Sequence, residues 1–220
     1  MTELRVKRRP EDRLDAVSDE NPLPVAIQSQ LWQPSFSGAP VLADLMWKAM
    51  FEGRLYCASD AAVGDSVLGQ TSFANTTPTF LLRVPAGTVV VPLYVNLDPT
   101  GTVAGGAISV AIEADIIERY SSSGTTEKIS NLRKSRDRAS ACTVYSNPTA
   151  VAGYGIQLAG TVVDQTIASA GAPPFWRPVV PHPLEGPAAL NIFTWAATTG
   201  PTWLWSIGWA EWTAGEFVGN

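Results

Sequence analysis

Side chains that could perform chemistry are few in this chain of 220 residues. His182 is the only histidine, and it lies between two prolines in a segment that predicts a loop. A Ser-His-Asp triad would have to use this histidine, yet no Gly-x-Ser-x-Gly nucleophile turn accompanies it. We therefore interpret His182 as a residue of a surface turn and not as a catalytic base.

Metal and nucleotide sites are not indicated either. A zinc site needs several His or Cys ligands at close spacing, and the chain offers one histidine and two distant cysteines, Cys57 and Cys142. Both cysteines lie in apolar, strand-like contexts, which favours buried free thiols, although their pairing stays open. The sequence contains neither Gly-x-x-x-x-Gly-Lys-Ser/Thr nor Gly-x-Gly-x-x-Gly after a predicted strand, so nucleotide binding is not indicated. The sequence predicts no cofactor, no metal and no enzymatic activity.

The tightest acidic group consists of Glu113, Asp115 and Glu118. Paired carboxylates serve glycosidases and cation sites. However, no calcium-binding loop motif accompanies them, and Glu113 and Asp115 fall on the same face of a predicted strand. We interpret the group as part of a solvated outer sheet face.

These side chains are carried by long runs of alternating residues. Apolar residues recur at every second position from Val89 to Val95 and again from Ile108 to Ile116. Such alternation puts each apolar set on one face of a strand. Long strands with one apolar face need a second sheet to cover them. The chain is therefore predicted to be all-β, an antiparallel β-sandwich that is jelly-roll-like with about eight strands.

Eight segments carry the strand pattern, and turn-forming residues separate most of them. The strand candidates are residues 54–58, 79–84, 88–97, 106–119, 141–146, 153–163, 188–197 and 202–213. One short helix is predicted over residues 41–51, because Pro40 suits a helix start and apolar residues follow at helical spacing. Residues 171–187 are rich in proline and predict a semi-rigid loop.

The chain is predicted to divide into an arm and a body. Residues 1–40 are polar, charged and rich in proline, which predicts an extended N-terminal arm. Residues 41–220 are predicted to form a single β-sandwich domain with an exposed insertion at 121–140. The N-terminus lacks the apolar segment of a secretory signal, and no apolar run is long enough to cross a bilayer. We expect a protein made in the host cytoplasm, without a transmembrane segment.

Five of the eight tryptophans lie between Trp195 and Trp212. Trp203, Trp205 and Trp209 share one strand face, whereas Trp212 interrupts the pattern and predicts a bulge or a strand end there. The row is expected to form sandwich core or a subunit interface, where tryptophan is enriched; the alternative is a platform for sugar rings. The interface and assembly candidates are Trp32, Phe36, Trp176, Trp203, Trp205 and Trp209.

Basic residues are concentrated in two segments although the net charge is −5. Acidic residues dilute the first segment, and neither segment has interleaved aromatic residues for base stacking. Contact with the genome is therefore one interpretation, and ordinary solvated loops or contacts to acidic neighbours are another. The nucleic-acid or charge-contact candidates are Arg5, Lys7, Arg8, Arg9, Arg133, Lys134, Arg136 and Arg138.

The whole pattern resembles the jelly-roll capsid proteins of icosahedral viruses, including those of bacteriophages. An arm with a basic cluster precedes about eight strands with long loops, and Arg83 to Gly101 is most similar to a strand pair of that family. The arm is less basic than the RNA-binding arms of many such capsids. The resemblance therefore implies an arm that ties neighbouring subunits together, or that faces a membrane or an inner layer.

The resemblance implies a structural virion protein that self-assembles into an icosahedral capsid shell, as a major or minor capsid protein. Its partners would be copies of itself and other virion proteins, and its location the virion. A second hypothesis is a receptor- or carbohydrate-binding or decoration module of a virion. Sandwich folds host many functions, so the fold by itself does not separate these hypotheses.

Overall fold

The structure, a computed structural model, describes residues 5–8, 13–16, 47–60, 65–100, 106–133, 138–164 and 175–218. The chain divides into two units, Met1–Met46 and Trp47–Asn220. In the first unit, β1 (Arg5–Arg8) pairs antiparallel with β2 (Arg13–Ala16). The rest of the predicted arm lies outside the described residues, so an extended arm over residues 1–40 stays a prediction.

Two short helices belong to the second unit. Residues 47–52 are helical (α1), within and just beyond the predicted segment 41–51, of which residues 41–46 lie outside the described part. The second helix, α2 (Ala214–Val218), was not predicted. Its five residues follow the last strand directly, and this length is too short for a periodic apolar pattern to be recognised.

Strands dominate the second unit, and each of the eight predicted segments contains one. The long strands are β6 (Thr88–Pro99), β7 (Ala107–Asp115), β13 (Ile156–Asp164), β16 (Ala188–Trp195) and β17 (Thr202–Thr213). The shorter strands are β3 (Leu55–Ser59), β4 (Val67–Leu68), β5 (Phe80–Val84), β8 (Tyr120–Ser122), β9 (Thr125–Thr126), β10 (Ile129–Asn131), β11 (Thr143–Ser146), β12 (Thr149–Ala150), β14 (Phe175–Trp176) and β15 (Leu184–Glu185).

Two antiparallel sheets contain nearly all of these strands. The first sheet has the order β10-β3-β17-β6-β14, with β15 also pairing with β6 and β4 with β17. The second sheet has the order β13-β7-β16-β5-β11-β9, and β8 pairs separately with β12. Apolar side chains of both sheets form one buried cluster. The prediction of an all-β antiparallel sandwich is therefore confirmed.

Two segments that the sequence presented as loops carry short strands. Within 121–140, β9 pairs with β11 and β10 pairs with β3, so the described part of this insertion extends the edges of both sheets. Most of its side chains are nevertheless exposed. Within 171–187, β14 and β15 both pair with β6. Strands of two or three residues are too short for alternation to be visible in the sequence.

Aromatic side chains join the two sheets across the core. Phe80 of β5 and Trp205 of β17 lie on opposite sheets with their ring centroids 4.5 Å apart. The Trp203 indole Nε1 donates a hydrogen bond of 2.9 Å to Thr194 Oγ1 of the second sheet. Because a buried indole N–H needs an acceptor, this bond helps to fix the position of β17 against β16.

Candidate interaction site

The tryptophan row of β17 lies inside the sandwich. Trp203, Trp205 and Trp209 are exposed by 0%, 4% and 0% and belong to the buried cluster. Of the alternatives for this row, core, subunit contact or sugar platform, the structure places it in the core. These three side chains therefore do not qualify as interface candidates, because an indole covered by the opposite sheet is not accessible to a second subunit.

Trp212 lies one residue before the end of β17, so of the two predicted alternatives the strand end is found there and the bulge is not. The strand runs on to Thr213, and Trp212 lies on the face opposite to Trp209 and Glu211, where it is also buried. The irregularity lies earlier, where the pairing with β6 shifts between Gly208 and Trp209. At this point Leu93 of β6 has no partner in β17, so the bulge belongs to the neighbouring strand. The sequence of β17 alone could not reveal it.

The remaining aromatic candidates have different outcomes. Trp32 and Phe36 lie outside the described residues and stay predictions. Trp176 is half-buried in β14, where its backbone pairs with Val95 and its side chain packs against the core. It lines an apolar cavity of about 180 Å³ between β6, β7, β13 and β14. An apolar cavity of about 150 Å³ is large enough for a benzene-sized group.

The basic candidates are only partly described. Arg5, Lys7 and Arg8 belong to β1, whereas Arg9, Lys134 and Arg136 lie outside the described residues. Arg138 is exposed and its carbonyl accepts a hydrogen bond of 3.1 Å from Asn131 Nδ2. Arg133 is half-buried, and its backbone N–H donates to Asn131 Oδ1 at 2.8 Å. The charge-contact role of these residues stays a prediction.

Glu113 and Asp115 do not lie on a solvated face. Both are 7% exposed, because residues 151–155 cover this end of β7. Asp115 Oδ2 accepts a hydrogen bond of 2.8 Å from Arg119 Nη1, and Glu113 Oε2 accepts one of 3.4 Å from the Gly155 backbone N–H. The expectation of a solvated acidic pair is therefore wrong, since alternation indicates the face of a strand but not which loops cover it.

Arg119 holds together the segments that meet at this end of the sandwich. Its side chain is fully buried, and besides Asp115 it contacts two backbone carbonyls through Nη2, Asn75 at 3.1 Å and Gly153 at 2.9 Å. Arginine suits this role because its planar guanidinium donates in several fixed directions. The link fixes residues 151–155 against the end of β7.

Close backbone approach makes the same segment depend on glycine. A Cβ atom at Gly155 would lie 2.4 Å from the carbonyl oxygen of Ala114, and one at Gly153 would lie 2.9 Å from Arg119 Nη1. Any larger residue at 155 would push the start of β13 away from β7. These contacts make the position of the segment a specific feature of the fold.

Exposed apolar side chains surround this anchored segment. We name Ile116, Ile117, Val151, Tyr154 and Ile156 the apolar patch; their exposed fractions are 83%, 49%, 48%, 76% and 70%. The Val151 N–H donates to the Arg119 carbonyl at 2.7 Å, and Ile156 pairs with Ala114 in the sheet, so the two parts of the patch lie side by side. Large contiguous apolar patches on a surface mark interaction sites.

The sequence did not indicate this patch. Ile116 continues the apolar alternation of the preceding strand and was assigned to its buried face, but β7 ends at Asp115 and Ile116 is largely exposed. Tyr154 and Ile156 fell within a predicted strand without any sign of which side they would face. The glycines at 153 and 155 were the available signal, because isolated glycines near a strand mark close backbone approach.

The strand that begins in the apolar patch is an edge strand. In the part of the chain that the structure describes, β13 pairs only with β7. The described side chains of β13 are exposed or half-exposed along its whole length. The apolar patch and β13 together form the candidate interaction site.

His182, Cys57 and Cys142 are the remaining side chains that the sequence offered for chemistry. His182 is exposed, as expected for a turn residue, and both Cys57 and Cys142 are free thiols. Burial raises the pKa of the Cys142 thiol. The Tyr94 hydroxyl donates to Cys57 Sγ at 3.2 Å, and burial together with this bond raises the pKa of Tyr94 to about 12. A raised pKa keeps the Cys142 thiol protonated, so this thiol is not an activated nucleophile.

An acidic cleft lies beside β4, β9 and the end of β11. Asp60, Asp65 and Glu127 line it, and burial raises the pKa of Asp60 despite a hydrogen bond of 3.4 Å from the Trp205 backbone N–H. Within the described residues, no three His, Cys, Asp or Glu side chains are grouped so that they could bind a metal ion. None of the described helices is long and apolar enough to cross a membrane.

Comparisons with known proteins add no relationship to these observations. No protein-family model, no curated protein and no solved structure matches the chain.

Proposed function

We propose that this chain is a structural virion protein with jelly-roll topology and that its copies assemble into an icosahedral capsid shell. One observation carries the proposal, the pairing of the strands. A jelly roll is a long antiparallel hairpin of eight strands rolled into two sheets, so that the first strand pairs with the eighth, the second with the seventh, and so on inward. Jelly rolls are common in viral capsids.

The pairs of this chain follow that scheme. Counting β3, β5, β6, β7, β13, β15, β16 and β17 as the eight strands, the expected pairs are all present: β3 with β17, β5 with β16, β6 with β15, and β7 with β13. The two contacts that complete the sheets, β17 with β6 and β16 with β7, are also present. The sixth strand is short, which is why the sequence suggested a loop there.

A fold does not by itself define a function, so the surface must supply the second part of the argument. The chain has only 16% charged residues, and it exposes the apolar patch beside a long edge strand. Apolar burial at contacts between copies would stabilise an assembly by about 25 cal/mol per Å², less the costs of association. A carbohydrate-binding module would need an exposed aromatic platform. The tryptophan row cannot provide one, because its indoles are buried.

The test is the size of the purified full chain. We expect large assemblies that grow with protein concentration in light scattering and appear as closed shells of uniform diameter in negative-stain electron microscopy. A protein that stays small at every concentration and salt condition tested would contradict a self-assembling capsid role. Glycan-array binding by the same small species would favour the receptor-binding alternative.

A further inference from the structure

We propose that β13 is the edge through which two copies of this chain pair, strand to strand and antiparallel, across a twofold axis. The proposal rests on the proposed function in one respect, since it takes the partner to be a second copy. It goes further by identifying the contact as a continuous sheet formed by both copies. Antiparallel pairing of one strand with its own copy is compatible with a twofold axis, because each residue then meets its counterpart reciprocally.

The lengths of the sheet edges single out β13. In the described part of the chain, the other terminal strands of the two main sheets are β10, β14 and β9, with three, two and two residues. Short edge strands are one way in which proteins prevent unwanted pairing. In contrast, β13 has nine residues. Within the described residues, the backbone N–H and C=O groups of β13 on the side away from β7 have no strand partner.

Apart from one β-bulge between Gln157 and Ala159, the residues of β13 lack the usual protection against pairing. Its sequence, IQLAGTVVD, contains no lysine, no arginine and no proline, and Asp164 at its end is the only charge. Inward-pointing charges and prolines are the devices that normally block an edge. Two copies of this strand can therefore approach without like-charge repulsion along most of their length. The irregular register with β7 between Gln157 and Ala159 is the one feature that interrupts the strand.

Apolar area supports the same partner. Val162, near the far end of β13, is 67% exposed, and Ile156 at its start is 70% exposed. Ile156 pairs with Ala114 and Val162 with Ser109 across the register shift, so the two side chains lie on opposite faces of the sheet. Pairing along β13 would cover part of both side chains, and burial of apolar surface favours association.

The experiment compares two double variants of the full chain by analytical ultracentrifugation. The edge variant carries Ile156→Lys and Val162→Lys, which place two positive charges on the β13 edge of each copy. The control carries Val179→Lys and Val180→Lys, which change two valines that are 92% and 62% exposed in the loop between β14 and β15. All four side chains are exposed, so both variants should fold, and circular dichroism with thermal melting checks this.

We expect the wild type and the control to dimerise alike, and the edge variant to dimerise at least about tenfold more weakly, because the contact would then hold four like charges and costs rise with like-charge juxtaposition. Hydrogen exchange provides a second measurement in the wild type. Amides of residues 156–164 should become protected as the concentration rises, whereas those of loop residues 177–183 should not. Loss of folding in the edge variant would leave this exchange measurement as the decisive one.

The outcomes separate this inference from the proposed function. Assemblies that form equally well from the edge variant, with no protection of β13, would overturn the inference and leave the capsid proposal intact. A dimer that depends on β13 but never grows would support the inference and contradict the capsid proposal. A wild type that remains monomeric at all concentrations would overturn both.

Discussion

Strands β17 and β13 make an instructive pair. Both are long, both alternate in sequence and both are rich in apolar residues. In the fold, β17 lies between β3 and β6 with Trp203, Trp205 and Trp209 covered by the opposite sheet. Among the described strands, β13 has one partner, and its described side chains are largely exposed. The difference comes from their position in a sheet, since a central strand has neighbours on both edges and an edge strand does not. A strand's pattern of residues thus predicts its faces but not its neighbours.

The strongest test of this comparison replaces one aromatic residue in each region. Trp205→Ala is expected to lower the free energy of unfolding by about 3–5 kcal/mol, because it removes a buried indole that packs on Phe80. Tyr154→Ala in the apolar patch is expected to change it by about 0.5 kcal/mol or less, because Tyr154 is 76% exposed. Urea unfolding of the dilute protein, followed by circular dichroism, measures both.

Equal losses in the two variants would break the comparison. A large loss for Tyr154→Ala would mean that the patch is covered within one copy, and a small loss for Trp205→Ala would mean that β17 is not central to the core. Fluorescence offers an independent reading, because buried indoles emit at shorter wavelengths than hydrated ones.

An intermediate effect is expected at the residue that anchors the apolar patch. Arg119→Met removes the donors to Asp115, Asn75 and Gly153 while keeping much of the apolar volume, and it leaves a buried carboxylate without its cation. We expect a loss of about 1.5–3 kcal/mol, the usual range for hydrogen bonds to charged groups. The same unfolding measurement applies, with Lys128→Met, at an exposed position, as the matched control.

Hydrogen exchange sharpens this second prediction. If Arg119 positions the segment beside β7, amides of residues 151–156 should exchange faster in Arg119→Met than in the wild type, while those of β17 should not change. Unchanged exchange in residues 151–156 would show that the glycine contacts alone hold the segment.

The smallest effect is expected at the end of β17, where α2 is tethered. Arg54 Nη1 and Nη2 donate to Glu216 Oε2 and Oε1 at 2.8 and 2.9 Å, and these hydrogen bonds lower the pKa of Glu216 well below its usual range. A lowered folded-state pKa means that the contribution is present above the unfolded value of about 4.3 and is lost as pH falls toward the folded value.

Glu216→Gln should therefore remove a small part of the acid sensitivity. The difference in free energy of unfolding between wild type and variant should be constant near neutral pH and should shrink as the pH falls below about 4.3. Because Glu216 is 44% exposed, solvent screening keeps this effect small. A difference that grows toward low pH would contradict the tether.

Particular residues indicate how much could be predicted from sequence. The run from Val89 to Val95 placed β6 correctly in the chain, but the prediction of one shared face is wrong, because the bulge at Leu93 puts Val89 and Val91 on the face opposite to Val95. Alternation also assigned Ile116 to a buried face, although β7 ends one residue earlier. Glu113 and Asp115 were assigned to the correct strand but the wrong environment, because the loop that covers them comes from residues 151–155. The two-residue strands within 171–187 gave no signal at all.

By itself the sequence determined the fold class, the existence of the eight strand segments and the aromatic face of β17, because these follow from side-chain type and period along one strand. Only the tertiary structure decided which strands became edges, where the apolar patch formed and that Arg119 anchors it. Those features depend on contacts between residues far apart in the chain, such as Gly155 against Ala114 and Arg119 against Asn75. No local pattern encodes such contacts, because each needs the backbone of a distant segment.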